Sequence, residues 1–542
     1  MTGVPATELA VGLGGAADRE LILIAFMAFI GLSLMMCVLA GPEGDEAADF
    51  YTGNRSLSPV MSALALAGDW ISAATLLGTC GMVALAGYDG ISLAVCSCLA
   101  VGGFLLLAGP LRNVGGYSLG DILAARTPGP AARMAAAAAT LAVCVPFLVV
   151  QLSSVGTATA MLLGMPNPGA RQVCTVFIGV AMICYTVLGG MRGTSLIQIV
   201  KMAVVLTTMA VLAAAVLSHF HWSLGTLFTS AQQGSGSPGR YYKPGQVMGT
   251  SFGDRLDFLG LQLSIVLGGA CMPQMVMRIG TTADVPAARR AARYTVIIMA
   301  VFSVLVVIAG LGAAGIVGDR ALRAVDGSGQ MALMLVAGGL EGGTSSASGT
   351  LLFTAVACTI FVSLLAVVAG ITLTAAAALA HDAHAHVRRR GGLSEQEKVR
   401  SARWAVLGVG AVGIGVAVGI QSRNLESLVH LSLTAAAATV LPACLYSLFC
   451  KRYNRVGLLW TVYGGLLCVF TLFVVSAAFS GTPGSLMPRL DVHLIELKST
   501  GLIAIPAGFV LGWMGTALGR RGKPTDRESE LIAREAHILA EA

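Results

Sequence analysis

Residues 59–87 read PVMSALALAGDWISAATLLGTCGMVALAG, and this stretch decides the fold. It is apolar and long enough to cross a bilayer, for which a helix needs about 20 residues. Asp69 nevertheless falls near the middle of that span. A carboxylate at the centre of a spanning helix costs roughly 2.5–3.5 kcal/mol on insertion scales, so it normally faces a hydrated cavity and belongs to a substrate, ion or proton path. Gly68, immediately before it, tolerates the irregular backbone that frees carbonyl oxygens for a cation. The other reading is a carboxylate that only caps a break in the helix or pairs with a distant arginine.

The rest of the chain is of the same kind. Of 542 residues, 56% are hydrophobic and 11% charged, against roughly 25% charged in soluble domains. The 68 glycines suit close packing between membrane helices. Apolar runs fall at 20–41, 59–86, 90–110, 134–163, 172–191, 195–218, 257–278, 294–317, 350–380, 404–421, 426–450, 456–480 and 500–519, so thirteen spans are expected. With the N-terminus outside, 23 of the 34 lysines and arginines lie on inner segments, Arg278 among them, and 10 on outer ones, while Lys201 lies within a span. That asymmetry predicts an N-out, C-in, multi-pass protein of the cell membrane. The expected organisation is an extracellular N-terminus at 1–19, a single transmembrane domain at 20–519 and a cytoplasmic tail at 520–542.

Several function classes are disfavoured. The formal charge of +7 is spread over short loops and never interleaves with aromatics, so nucleic acid is not an expected partner. No P-loop, dinucleotide fingerprint or GxSxG elbow occurs, no organic cofactor is implied and no enzyme is expected. The 12 cysteines include no CxxC pair, so neither a zinc site nor a redox pair is expected. His381, Asp382, His384 and His386 cluster where the ninth span ends, with His381 and His384 near one face of a regular helix; the ordinary reading is an interfacial helix end, without a metal. His430 reads as a packing histidine or, alternatively, a proton carrier.

A second interruption, Gly268, Gly269 and Pro273, falls in the seventh span, five spans after the first. Two broken helices so spaced suggest an inverted-repeat transporter with its site at the midplane. Gln151 in the fourth span and Gln274 in the seventh each need a partner in lipid, either a ligand or a neighbouring helix.

The chain resembles the sodium:solute symporter family, and within it the acetate and monocarboxylate permeases. The resemblance rests on DFYTGNRSLSP (49–59), ALAGDWISAATLLG (65–78), GYDG (87–90), LRNVGGYSLGDILAART (111–127), YTVLGGMRGTSLIQIVK (185–201), PQMVMR (273–278) and LLAVVAGITLTAAAALAHD (364–382). It implies an all-α membrane protein of thirteen helices with a leucine-transporter-like core, spans 2–6 and 7–11 forming the inverted repeats. By resemblance, the sodium site falls on the carbonyls of Gly68 and Ile71 and on Ser363, Ala366 and Val367. Alanine and valine supply no hydroxyl where sodium-coupled relatives have one, so the coupling ion is expected to be Na+ or H+, with Asp69 a candidate carrier. Substrate or proton coupling is assigned to Asp69, Ser72, Gln151 and Gln274. Trp70 stands where proline-transporting relatives carry an aspartate, and Thr157 where the branch has a lysine. No arginine within a span is expected to meet an anion. The implied activity is symport of a short monocarboxylate such as acetate, propionate or pyruvate; another small organic solute, or a transporter-like sensor working with a separate signalling partner, is the alternative.

Overall fold

In the computed structural model the described residues are 46–519 apart from 73, 164, 166, 326, 341–346, 389–391, 422, 424 and 483, with scattered positions between 23 and 41. Most of the first expected span and both expected terminal segments, 1–19 and 520–542, lie outside the described residues. What remains is helical: three isolated bridges are the only β pairing among the described residues.

After a short α1 (Ala47–Thr52), α2 (Pro59–Trp70) starts where Ser58 accepts a hydrogen bond from Met61 N and Pro59 occupies the first turn, the expected chemistry of a helix start. Helix α3 (Thr79–Ala86) completes that span, and the two halves of the pair are bent by 69°. Next come α4 (Tyr88–Val114), α5 (Leu119–Arg126), α6 (Pro130–Leu162) and α7 (Pro168–His219). The 52 residues of α7 cover two expected spans, joined at Gly190, whose φ of 52° and ψ of −150° make the kink. Only glycine takes that conformation without strain.

The second half begins with α8 (Leu224–Gly234), α9 (Phe252–Leu263) and α10 (Pro273–Arg278). It continues through α11 (Val285–Gly312), α12 (Asp319–Val325), α13 (Ala332–Gly339), α14 (Ala347–Ala377) and α15 (Glu395–Ile420). Helices α16 (Glu426–Ala435), α17 (Leu441–Phe449), α18 (Arg455–Leu459), α19 (Gly465–Val474) and α20 (Gly501–Leu518) close the chain. Ten helices among the described residues are long and apolar enough to cross a membrane, or eleven with the bent pair. Every expected run from 59–86 onward falls on one of them.

Burial orders these helices. The span ending at His384 has 78% of its most apolar window buried, whereas α15 has 28% and belongs to the periphery. Helix α14 packs on α6 and α7, and α11 on α2 and α4, so the broken helices sit amid the bundle. A parallel bridge between Leu57 and Thr282 joins the entrance of α2 to the exit of α10. At the other end, Asp89 at the start of α4 accepts from the amides of Gly245, Gln246 and Val247 at 3.1, 2.7 and 2.9 Å. Asp257 on α9 likewise takes the amides of Lys498 and Ser499. Each carboxylate satisfies backbone donors of a connection that has no regular structure of its own.

Candidate functional site

The helix breaks just past Asp69. Ile71 leaves the helical region at φ −75° and ψ 86°, and side chains take over the freed backbone groups. Thr75 Oγ1 donates to Trp70 O at 3.0 Å, Ser72 N donates to Thr75 Oγ1 at 2.7 Å, and Thr75 N donates to Ser72 Oγ at 3.3 Å. Ser and Thr three residues apart offer the chain this alternative to a helical turn. Ser72 therefore serves the break itself. Thr75 was missed by the sequence reading, although the Ser-x-x-Thr spacing carries the signal.

The carbonyls of Gly68 and Ile71 point at an amine. Lys201 Nζ donates to both at 2.5 Å and lies 3.3 Å from Gln198 Oε1. Beyond the Gly190 kink, Ser195, Gln198 and Lys201 follow at intervals of three on α7, which sets them along one side of the helix. Gln198 Nε2 donates to Asp69 Oδ1 at 2.8 Å and to Ala366 O at 3.0 Å. Arg278, at the end of α10, holds Asp69 through Nε and through Nη2 at 3.1 Å, and its Nη1 donates to Ser195 Oγ at 2.6 Å. Lys201, Gln198, Asp69 and Arg278 are all buried. Close approach is made possible by missing side chains: a Cβ on Gly68 would lie 2.6 Å from Gln198 Oε1, and one on Gly370 2.7 Å from Asp69 Oδ1.

This corrects the expectation that no arginine is available within the bilayer. The apolar run ends at Arg278, which therefore reads as an inner-loop charge, but the chain turns tightly over Ile279–Thr281 and the Leu57–Thr282 bridge keeps the arginine inside. A carboxylate 209 residues away supplies its partner, and no local window of sequence reports that.

The other expected residues separate. Ala366 is tied to Asp69 through Gln198, while Ser363 Oγ is buried with no hydrogen-bond partner. Val367 is buried and offers only methyl groups. Gln151 is buried with neither amide atom bonded, and Gln274 Oε1 and Trp70 Nε1 are buried and unpartnered too. These side chains come from α6, α10 and α2, and α10 packs on both α2 and α6. Buried polar groups are nearly always satisfied, so unpaired ones call for an explanation such as a ligand or water.

A second polar cluster lies where α5 meets the end of the α14 span. Arg133 donates to Asp121 at 2.7 Å and to Asp382 at 3.3 Å, Ser118 Oγ donates to Asp382 at 2.7 Å, and His381 Nε2 lies 3.1 Å from Asp121. Asp121 also accepts the amides of Tyr117 and Ser118. Its carboxyl sits below the usual range: burial pushes it up, but the hydrogen bond and charge of His381, then Arg133 and the Tyr117 amide, outweigh that. Asp121, His381 and Asp382 are close enough to share a metal ion, yet the Arg133 guanidinium already joins the two carboxylates. His381 and His384 do not act together, because residues 378–388 form a wider π-type helix. His384 Nδ1 lies 3.1 Å from Ser401 on α15, and the side chain of His386 lies outside the described residues. His430 is 3.9 Å from Glu426 on its own helix.

The "Monocarboxylic acid transporter" of Corynebacterium glutamicum is 33% identical over 531 residues, covering 96% of this chain and 95% of that protein. "Uncharacterized symporter YwcA" of Bacillus subtilis is 35% identical over 496 residues, 91% of this chain and 94% of the relative. Among solved structures, a substrate-bound, outward-open Na+-coupled sialic acid symporter superposes with a TM-score of 0.71 at 13% identity, covering 93% of this chain and 99% of the other. Mhp1, a nucleobase-cation-symport-1 transporter in a closed conformation, superposes at 0.51 and 12% identity, covering 91% and 98%. The fold is thus the leucine-transporter-like inverted repeat, built around the two broken helices. The sodium:solute symporter family matches residues 50–465, and the chain belongs to that family.

Proposed function

We propose that this chain is a secondary active symporter that takes up a short monocarboxylate, such as acetate, propionate or pyruvate, together with a coupling cation, Na+ or H+. The observation that carries the reading is the charge balance at the break in α2. Two cationic side chains, Arg278 and Lys201, meet a single carboxylate, Asp69, in a fully buried network. An arriving monocarboxylate brings the negative charge this cluster lacks, and an uncompensated buried charge is costly. The unpartnered donors Gln151 Nε2 and Trp70 Nε1 suit an acceptor-only carboxylate, whereas the unpartnered Gln274 Oε1 on the second broken helix is an acceptor and suits a hydroxyl or water donor. The name of the Corynebacterium glutamicum relative points to the same class of substrate.

Asp69 then has two tasks, holding Arg278 between transport events and giving it up as substrate binds. The short α10, at the second break, is the element that such an exchange would move. The excess of basic residues on inner segments supports an N-terminus outside and a C-terminus in the cytoplasm, in the cell membrane. Uptake of labelled acetate and pyruvate into vesicles holding the purified protein, under separately imposed Na+ and pH gradients, tests the reading. Saturable uptake of either acid above protein-free vesicles, driven by one of the gradients, is expected. Absence of uptake of both acids, with another organic solute accumulated instead, would sink the substrate class.

A further inference from the structure

We propose that Lys201 is the resident cation of the site formed by the Gly68 and Ile71 carbonyls, so that its tethered ammonium takes the place of a free sodium ion. The inference rests on the symporter reading above and narrows it: the ion that drives uptake is not a sodium held by these carbonyls.

The first argument is occupancy. A hard cation needs several oxygen ligands, and the oxygens available here are committed. Both carbonyls accept from Lys201 Nζ at 2.5 Å, and Ala366 O accepts from Gln198 Nε2 at 3.0 Å. Ala366 and Val367 bring no hydroxyl, which leaves Ser363 Oγ as the one unclaimed side-chain oxygen among the expected ligands. A sodium ion within bonding distance of both carbonyls would coincide with the ammonium.

The second argument is chemical. Lys201 Nζ faces three acceptors, two carbonyl oxygens and Gln198 Oε1. An ammonium has three donors and no acceptor, so the surroundings match the charged form donor for acceptor. Of the charged groups near it, Asp69 on α2 attracts the ammonium, whereas Arg278 on α10 repels it. Any further cation would meet both Lys201 and Arg278 with only Asp69 to offset them. The departure at Ala366 and Val367 then has a physical reason: once a lysine supplies the charge, hydroxyl ligands on α14 have no ion to hold.

Thermal stability of the full-length protein in detergent, read in choline, sodium and methylammonium chloride at one ionic strength, tests this without any substrate. Wild type is expected to melt at the same temperature in all three salts. Lys201→Ala is expected to melt lower in choline and to recover saturably with methylammonium or sodium, which refill the vacated position. Lys201→Arg, which keeps the charge, is expected to remain insensitive to sodium. A saturable sodium stabilisation of wild type that Ser363→Ala weakens would overturn the proposal, as would a Lys201→Ala protein unmoved by both cations. If Lys201→Ala does not fold, the wild-type melting curves decide: no saturable sodium stabilisation that depends on Ser363 is expected, and one that Ser363→Ala weakens refutes the proposal. Failure of acetate and pyruvate uptake would remove the substrate class and leave the stability comparison standing.

Discussion

Removing the Asp69 carboxylate charge gives the sharpest test of the network. In Asp69→Asn, Arg278 loses its counter-charge in a place where water cannot substitute, since the two side chains expose 1% and 2% of their surface. The amide that replaces the carboxylate keeps one acceptor and turns donors toward the guanidinium or toward Gln198 Nε2, itself a donor to Asp69 at 2.8 Å. Breaking a buried ion pair from one side costs about 3–5 kcal/mol. At 1.4 kcal/mol per decade this lowers the folded population relative to the unfolded by roughly two to three and a half powers of ten. Arg278→Met leaves the carboxylate with Lys201 nearby and with the Gln198 hydrogen bond, so it should cost less than Asp69→Asn. The double variant Asp69→Asn/Arg278→Met removes both charges and should recover much of the loss, because apolar replacement of a buried pair is often close to neutral. Denaturant unfolding of the three variants and wild type in one detergent closes the cycle. Additive losses, with no recovery in the double variant, would refute the idea that these residues act as a pair. Coupled uptake at the normal rate in well-expressed Asp69→Asn would remove the carboxylate from the transport mechanism.

Two further outcomes follow from local geometry. Gly370→Ala places a Cβ 2.7 Å from Asp69 Oδ1 and 3.3 Å from Arg278 Nη2, so uptake should fall about tenfold or more as the pair is displaced; since alanine is the better helix former by up to about 1 kcal/mol, unchanged uptake with higher stability would show that the pair tolerates the shift. Asp121→Asn should cost about 1.5–3 kcal/mol at pH 7. A carboxyl depressed in the folded state stabilises fully above its unfolded value of about 3.9 and loses that contribution as pH falls through the folded value; melting curves should therefore keep wild type and variant apart at pH 7 and pH 5 and bring them together in stronger acid, and equal stability at pH 7 would contradict the charge network drawn around His381 and Arg133.

The spans and the break were legible because their signals are local. A run of apolar residues with Gly68–Asp69 in its middle announces both the helix and its interruption, and the run 257–278 does the same for the second half. The network at the break was only half legible. Asp69, Gly68 and Ile71 could be named, but Lys201 and Arg278 reach them across 130 to 209 residues of sequence. In the charge count Arg278 passed for an inner-loop residue. It is buried against Asp69. Hydropathy records where an apolar run stops, whereas the fate of a cation at that point depends on an acceptor elsewhere in the chain. The shared face expected of His381 and His384 is lost for another reason: the wider helix they occupy changes the angle between successive side chains, which a regular period cannot anticipate.

The two carboxylates that hold backbone amides at the far end, Asp89 and Asp257, fasten stretches 245–247 and 498–499 to α4 and α9. Each stretch is therefore cargo on its helix, and any tilt of that helix would carry the stretch along. An antibody fragment gripping 245–247 is expected to resist any tilt of α4 through the Asp89 contacts.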